Sequence, residues 1–165
     1  MTKKLIIGLL IGFFGFLIGI YYLVQRDNST QVLFTSYKLG DKERPKVEVK
    51  QTSQDLGQMK VSDEKSKDFI IKNIGSRNLI LSNISSSCGC TLGQLIYEGE
   101  KSSEFGMHSK RAFAKEILPG KEATIRVIYR PYIMPVYGLV EREVYVETND
   151  PQNSRLIFRV TANIK

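Results

Sequence analysis

Cys88 and Cys90 are the two cysteines of this 165-residue chain, and a single glycine separates them. In an extended chain, residues i and i+2 point to one face, so the two sulfurs can share one task. A disulfide needs Cα atoms about 4.4–6.8 Å apart. A fully extended i,i+2 pair sits at or past the upper end of that range, and a bend at Gly89 brings it within reach. Three chemistries are open to the pair. They are a short-loop disulfide, a two-thiolate site for a soft ion such as Cu(I), and two thiols that only pack. The apolar run 79–84 leads into the pair as a strand.

No other constellation points to catalysis. The chain has one histidine, and it has no G-x-S-x-G, no H-E-x-x-H and no glycine-rich phosphate loop. A Cys-His dyad and disulfide exchange at the C-x-C pair are the catalytic options it leaves. The expectation is therefore a protein without enzymatic activity, with no cofactor or, in the alternative, copper.

The elements that must position the cysteines are β-strands. From residue 46 on, apolar residues alternate with charged ones. Val47 and Val49 open the pattern, and Ala123, Ile125, Val127 and Tyr129 fall on one face of a later run. Val144 and Val146 point inward against Glu143, Tyr145 and Glu147, and Leu156, Phe158, Val160 and Ala162 line the last strand. Arg142 breaks the register of its run, which points to a bulge or an edge. Turns are expected at Asn73-Ile74-Gly75-Ser76, at Pro119-Gly120 and at Asn149-Asp150-Pro151. About seven short strands with turns between them predict an all-β domain, an immunoglobulin-like β-sandwich over residues 46–165. The antibody-type inter-sheet disulfide is absent, since the cysteines are neighbours, and the chain has no tryptophan to pack on one.

A different solvent governs the amino end. Residues 5–24 are twenty residues without a charge. As a helix at about 1.5 Å per residue they span the ~30 Å hydrocarbon core. Lys3 and Lys4 precede them, which puts the tip, residues 1–4, in the cytoplasm and the rest outside. A cleaved signal peptide would have a shorter apolar run and a small-residue cleavage site. Tyr21-Tyr22-Leu23-Val24-Gln25 offers no such site. The expectation is a single-pass anchor in the inner (cytoplasmic) membrane, a polar tether at 25–45, and a periplasmic or extracellular domain. Gly8, Gly12, Gly15 and Gly19 form one stripe on that helix, suited to pairing with a second copy or another membrane helix. The net charge of +7 is spread along the chain rather than clustered, so a nucleic-acid partner is not expected.

The residues Asn73-x-Gly75, Leu79-Ile80-Leu81, Ile84 and Cys88-Gly89-Cys90-Thr91 resemble the signature of a bacterial domain-of-unknown-function family with a CGCT motif. That family is related to Hydin-type immunoglobulin-like domains. Pro119-Gly120, Gly138 and Thr148-Asn149-Asp150 fit the same pattern, which covers roughly residues 47–164. The resemblance implies a secreted or membrane-anchored β-sandwich and no established activity. Against the family's usual spacing, residues 92–118 read as an insertion near the cysteines. It holds Met107 and His108, soft and imidazole ligands that could complete a copper site, or a flexible polar loop. Residues 131–137 carry no charge and two prolines, and cannot be a central strand. There Tyr132, Ile133, Met134 and Tyr137 are either tucked on the core or exposed to a partner. Together these features point to an anchored binding or scaffold module with a protein partner in the envelope. The alternative is a Cu(I)-handling or thiol-disulfide protein.

Overall fold

The computed structural model describes residues 10, 12–19, 36–109 and 113–165. The chain divides into two units, residues 1–33 and 34–165. In the first, residues 10 and 12–19 are helical. Among the described residues no helix is long and apolar enough to cross a membrane. Gly8 and most of the expected span 5–24 lie outside the described residues, whereas Gly12, Gly15 and Gly19 are exposed helical positions.

The second unit is all-β, two five-stranded sheets packed face to face. In one sheet β1 (Val47–Val49), β3 (Lys65–Asn73), β8 (Glu122–Tyr129), β5 (Thr91–Tyr97) and β6 (Glu100–Lys101) lie side by side in that order. In the other the order is β2 (Ser53–Met59), β10 (Arg155–Ile164), β9 (Gly138–Thr148), β4 (Leu79–Ser86) and β7 (Ala114–Ile117). Pairing is antiparallel except between β2 and β10. Alternate residues of both inner faces meet in one core, where Phe69 and Phe158 bring their rings to 5.1 Å across the sheets. Lys65 adds a tie between sheets, donating its ammonium hydrogens to the carbonyls of Leu56 and Gln58.

The described residues form ten strands where about seven were expected. Residues 92–118, read as an inserted loop, instead carry β5, β6 and β7, and β5 lies inside its sheet between β8 and β6. Its inward residues are Thr91, Gly93, Leu95 and Tyr97. Gly93 interrupts the apolar alternation because the methyls of Ile84 and Val144 fill the place of its side chain. A Cβ there would meet each at 2.7 Å.

Arg142 causes no bulge. β9 pairs with β10 in unbroken register from Gly138 to Glu147. Arg142 lies on the inner face, its guanidinium carbon 5.5 Å from the centre of the Tyr129 ring, where the quadrupole of the ring face attracts a cation. The irregularity sits in β4, where the pairing with β9 slips between Ser82 and Ser85. Asn83 there takes a positive φ of 47°.

The Asn73-x-Gly75 turn has a structural reason. The Asn73 amide donates to the carbonyls of Arg77 and Ile117, and its carbonyl oxygen accepts from the Gly75 N–H at 3.0 Å. One buried side chain thus closes the β3–β4 turn and holds β7. A Cβ on Gly75 would strike the backbone of Arg44 and Lys46. That approach shows that part of the expected tether is packed. Pro45 is buried, the Arg44 carbonyl accepts from the Ser76 N–H, and the Lys46 carbonyl accepts from the Ile74 N–H.

Candidate functional site

The two cysteines lie in the short connection that carries the chain from β4 in one sheet to β5 in the other. The strand before them is made by Leu79, Leu81 and Ile84, all buried. Beyond Ser86 the chain leaves the ladder. Ser87 makes the last link to β9, donating its N–H to the Glu143 carbonyl while its hydroxyl oxygen accepts from the Glu143 N–H. A tight turn follows, closed by the Thr91 N–H on the Cys88 carbonyl at 3.2 Å. The Ser86 hydroxyl donates to that same carbonyl at 2.8 Å, and the Arg130 N–H donates to the Cys90 carbonyl at 2.8 Å.

The turn brings the Cα atoms to 5.3 Å, and the sulfurs are joined in a disulfide. The bend does not use the left-handed region reserved for glycine, because Gly89 is not among the residues of positive φ. A Cβ on Gly89 would meet nothing within 4 Å.

The two sulfurs are unequal. Cys90 is fully buried in the core, whereas Cys88 is half-buried at the end of the sandwich. The Thr91 hydroxyl lies between them, 3.2 Å from Cys88 Sγ and 3.9 Å from Cys90 Sγ. In the chain-entropy account, a ring closed over one intervening residue stabilises a fold by about 1.5 kcal/mol, against about 4 for a fifty-residue loop. Fold stability alone therefore gives this bond little reason to exist.

Arg130 organises the same end. Its guanidinium bonds Glu64 at 2.6 Å on the β2–β3 connection and Glu104 at 2.8 and 3.0 Å on the β6–β7 connection. Hydrogen bonds from Glu104 and then Glu64 push the Arg130 pKa further up. The Arg130 hydrogen bond, opposed by burial, holds Glu64 below the usual carboxylate range. Tyr129 and Arg142 sit at this mouth as well, and the Tyr129 hydroxyl and Arg142 Nε are buried without hydrogen-bond partners among the described residues. Sequence reasoning noticed Arg142 only as a break in alternation, which was the available signal for an inward cation.

The β8–β9 connection begins at Arg130, the residue whose N–H bonds the Cys90 carbonyl. Pro131–Ile133 is a single 3-10 turn with Pro131 buried. Tyr132, Ile133, Met134, Val136, Tyr137 and Leu139 are exposed, the last two at 75% and 81%. Of the two arrangements left open for this stretch, the structure has the exposed one. β4 ends at Ser86, so among the described residues β9 from Gly138 to Arg142 pairs with β10 on one side and with no strand on the other.

Met107 and His108 are exposed in a turn closed by Gly106 and Ser109. Among the described residues, no group of three or more His, Cys, Asp or Glu side chains is placed to hold a metal ion. The cysteine sulfurs are bonded to each other, so neither is a thiolate in this state.

Residues 45–163 match the family model described as HYDIN/CFA65/VesB-like, Ig-like domain. No curated protein matches the chain in sequence. Among solved structures, a protein of unknown function from Porphyromonas gingivalis W83 is similar at 19% identity and TM-score 0.54. The match covers 74% of this chain and 48% of that one, so this chain spans about half its length. At that identity the likeness shows the fold alone. The PapD-like domain 7 of human CEP192 matches at 12% identity and TM-score 0.45, over 79% of this chain and 95% of that one. The secreted serine protease VesC from Vibrio cholerae matches at 7% identity and TM-score 0.46, over 72% and 23%.

Proposed function

Since the chain belongs to the HYDIN/CFA65/VesB-like immunoglobulin-like family, we propose that it is a binding module, anchored in the cytoplasmic membrane by residues 5–24, that holds a protein partner outside the cytoplasm. Catalysis is not part of this reading. The observation that carries it is the exposed apolar stretch from Tyr132 to Leu139. Single exposed hydrophobics need no explanation, but six large ones within the eight residues 132–139 mark an interaction surface. Tyrosine and methionine are enriched in such surfaces. The neighbouring edge of β9 adds unpaired backbone groups, so an extended partner segment can add as a strand while its side chains meet Tyr137 and Leu139.

The test is site-specific photo-crosslinking from Tyr137 in cells, combined with fractionation. The expected result is a chain that stays with membranes through an alkaline wash and yields discrete adducts. Ile133→Asp with Leu139→Asp should remove the adducts while leaving the melting temperature unchanged. A chain released by the wash would overturn the anchor, and adducts unaffected by the substitutions would overturn the surface.

A further inference from the structure

We propose that the Cys88–Cys90 disulfide is a thiol-disulfide exchange site that accepts electrons from a dithiol, with Cys88 as the attacked sulfur. The inference goes beyond the binding reading and does not depend on the identity of any protein partner. It stands on three features of the site. The first is the asymmetry of burial, with Cys88 reaching the surface and Cys90 fully enclosed. A thiolate from outside can reach only one of the two sulfurs, and access decides which one is attacked.

The second is the Thr91 hydroxyl, within reach of both sulfurs. It can donate to Cys90 Sγ as negative charge develops there, and to Cys88 Sγ when that sulfur leaves in turn. A hydrogen bond to the charged form favours the thiolate. The third is the support of the turn. The Cys88 carbonyl is held by Ser86 and Thr91, and the Cys90 carbonyl by Arg130. None of these bonds passes through sulfur, so the turn can keep its place when the S–S bond opens.

The exchange balances as follows. A thiolate of the incoming dithiol attacks Cys88 Sγ and forms a mixed disulfide. The Cys88–Cys90 bond breaks, and its electron pair leaves on Cys90 Sγ, which takes up a proton from solvent. The second thiol of the reagent, deprotonated, then attacks the reagent's own sulfur in the mixed disulfide. Cys88 leaves as a thiolate and is protonated. The reagent ends as a disulfide, the protein ends with two thiols, and two electrons and two protons have moved.

The experiment uses the full chain in detergent micelles with dithiothreitol, glutathione and an aromatic disulfide as probes. Timed alkylation and intact-mass measurement should show the wild-type pair reduced by dithiothreitol without denaturant and re-formed by oxidised glutathione. In Cys90→Ser the remaining Cys88 should react with the aromatic disulfide at least roughly tenfold faster than Cys90 does in Cys88→Ser. The two rates should converge once both variants are unfolded. Cys90→Ser should also yield a glutathione adduct at Cys88. Thr91→Val should slow wild-type reduction several-fold while its melting temperature stays close to the parent. A disulfide reduced only under denaturing conditions would overturn the proposal. So would equal or inverted reactivity of the two native thiols. Where a variant does not fold, the wild-type reduction time course still decides whether the folded disulfide exchanges at all, and a pair that resists reduction overturns the proposal.

Discussion

Asp150 shows how much one side chain can hold together. It is fully buried in the β9–β10 turn and receives bonds from the Val47 N–H at 3.0 Å, the Gln152 N–H at 3.0 Å and the Asn153 amide at 3.0 Å. The Arg44 guanidinium lies 3.2 Å away. Burial pushes its carboxyl pKa up, but the bonds from Asn153, Val47 and Gln152 and the charge of Arg44 outweigh burial and hold it below the ordinary 3.8. A folded-state value below the unfolded one means that the contribution is complete above the unfolded pKa. It is lost as pH falls through the folded value. Asp150→Ala should cost about 2–3 kcal/mol at neutral pH, because it orphans buried donors. The gap between parent and Asp150→Asn in urea melts should narrow below about pH 4. A gap that stays constant down to pH 2 would show that the carboxylate charge is not what the site uses. The role of Asp150 was invisible in sequence, where Asn149-Asp150-Pro151 read only as a turn. Two of its partners, Arg44 and Val47, lie 106 and 103 residues away in the chain, and no local pattern encodes such contacts.

Strands became legible where the alternation was unbroken. β8 and β10 present an apolar residue at every second position, and they stand as read. β2 was missed because its inward residues, Leu56 and Met59, are three apart, across the register shift in its pairing with β10. A bulge changes the period that the eye looks for. β5 was missed because Gly93 occupies an inward position, and β6 and β7 are too short to show a period. The cysteine pair was legible as a feature because residue type and spacing carry it. Its unequal burial was not, since that depends on which sheet each neighbour joins. Two glycine substitutions separate these cases. Gly93→Ala should destabilise by about 1–3 kcal/mol, since Ile84 and Val144 must yield inside a packed core. Gly89→Ala should change stability by less than about 0.5 kcal/mol and leave the disulfide formed, since its side chain would enter open space. Urea unfolding of both variants checks the contrast, and a costly Gly89→Ala would mean that the turn needs glycine after all.

At the scale of the whole molecule, the boundary between tether and domain is set by contacts rather than by composition. Residues 36–45 are polar and mixed in sequence, without a strand period, and they read as linker. Their last residues nonetheless complete one end of the sandwich. Arg44 bonds Asp150 and Gln152, Glu43 pairs with Arg77, and Pro45 is buried beneath the Gly75 turn. The exposed Glu43–Arg77 pair contributes little, as such pairs do. Arg44 matters more, because without it Asp150 keeps a buried negative charge with no cation beside it. A fragment of residues 46–165 should still give a β-type circular dichroism spectrum, since the core and both sheets lie within it. A fragment of residues 36–165 should melt about 5 °C or more higher. Arg44→Ala in the longer fragment should recover most of that difference, whereas Glu43→Ala should recover little. Equal melting temperatures for the two fragments would return residues 36–45 to the tether and leave Asp150 held by its hydrogen bonds alone.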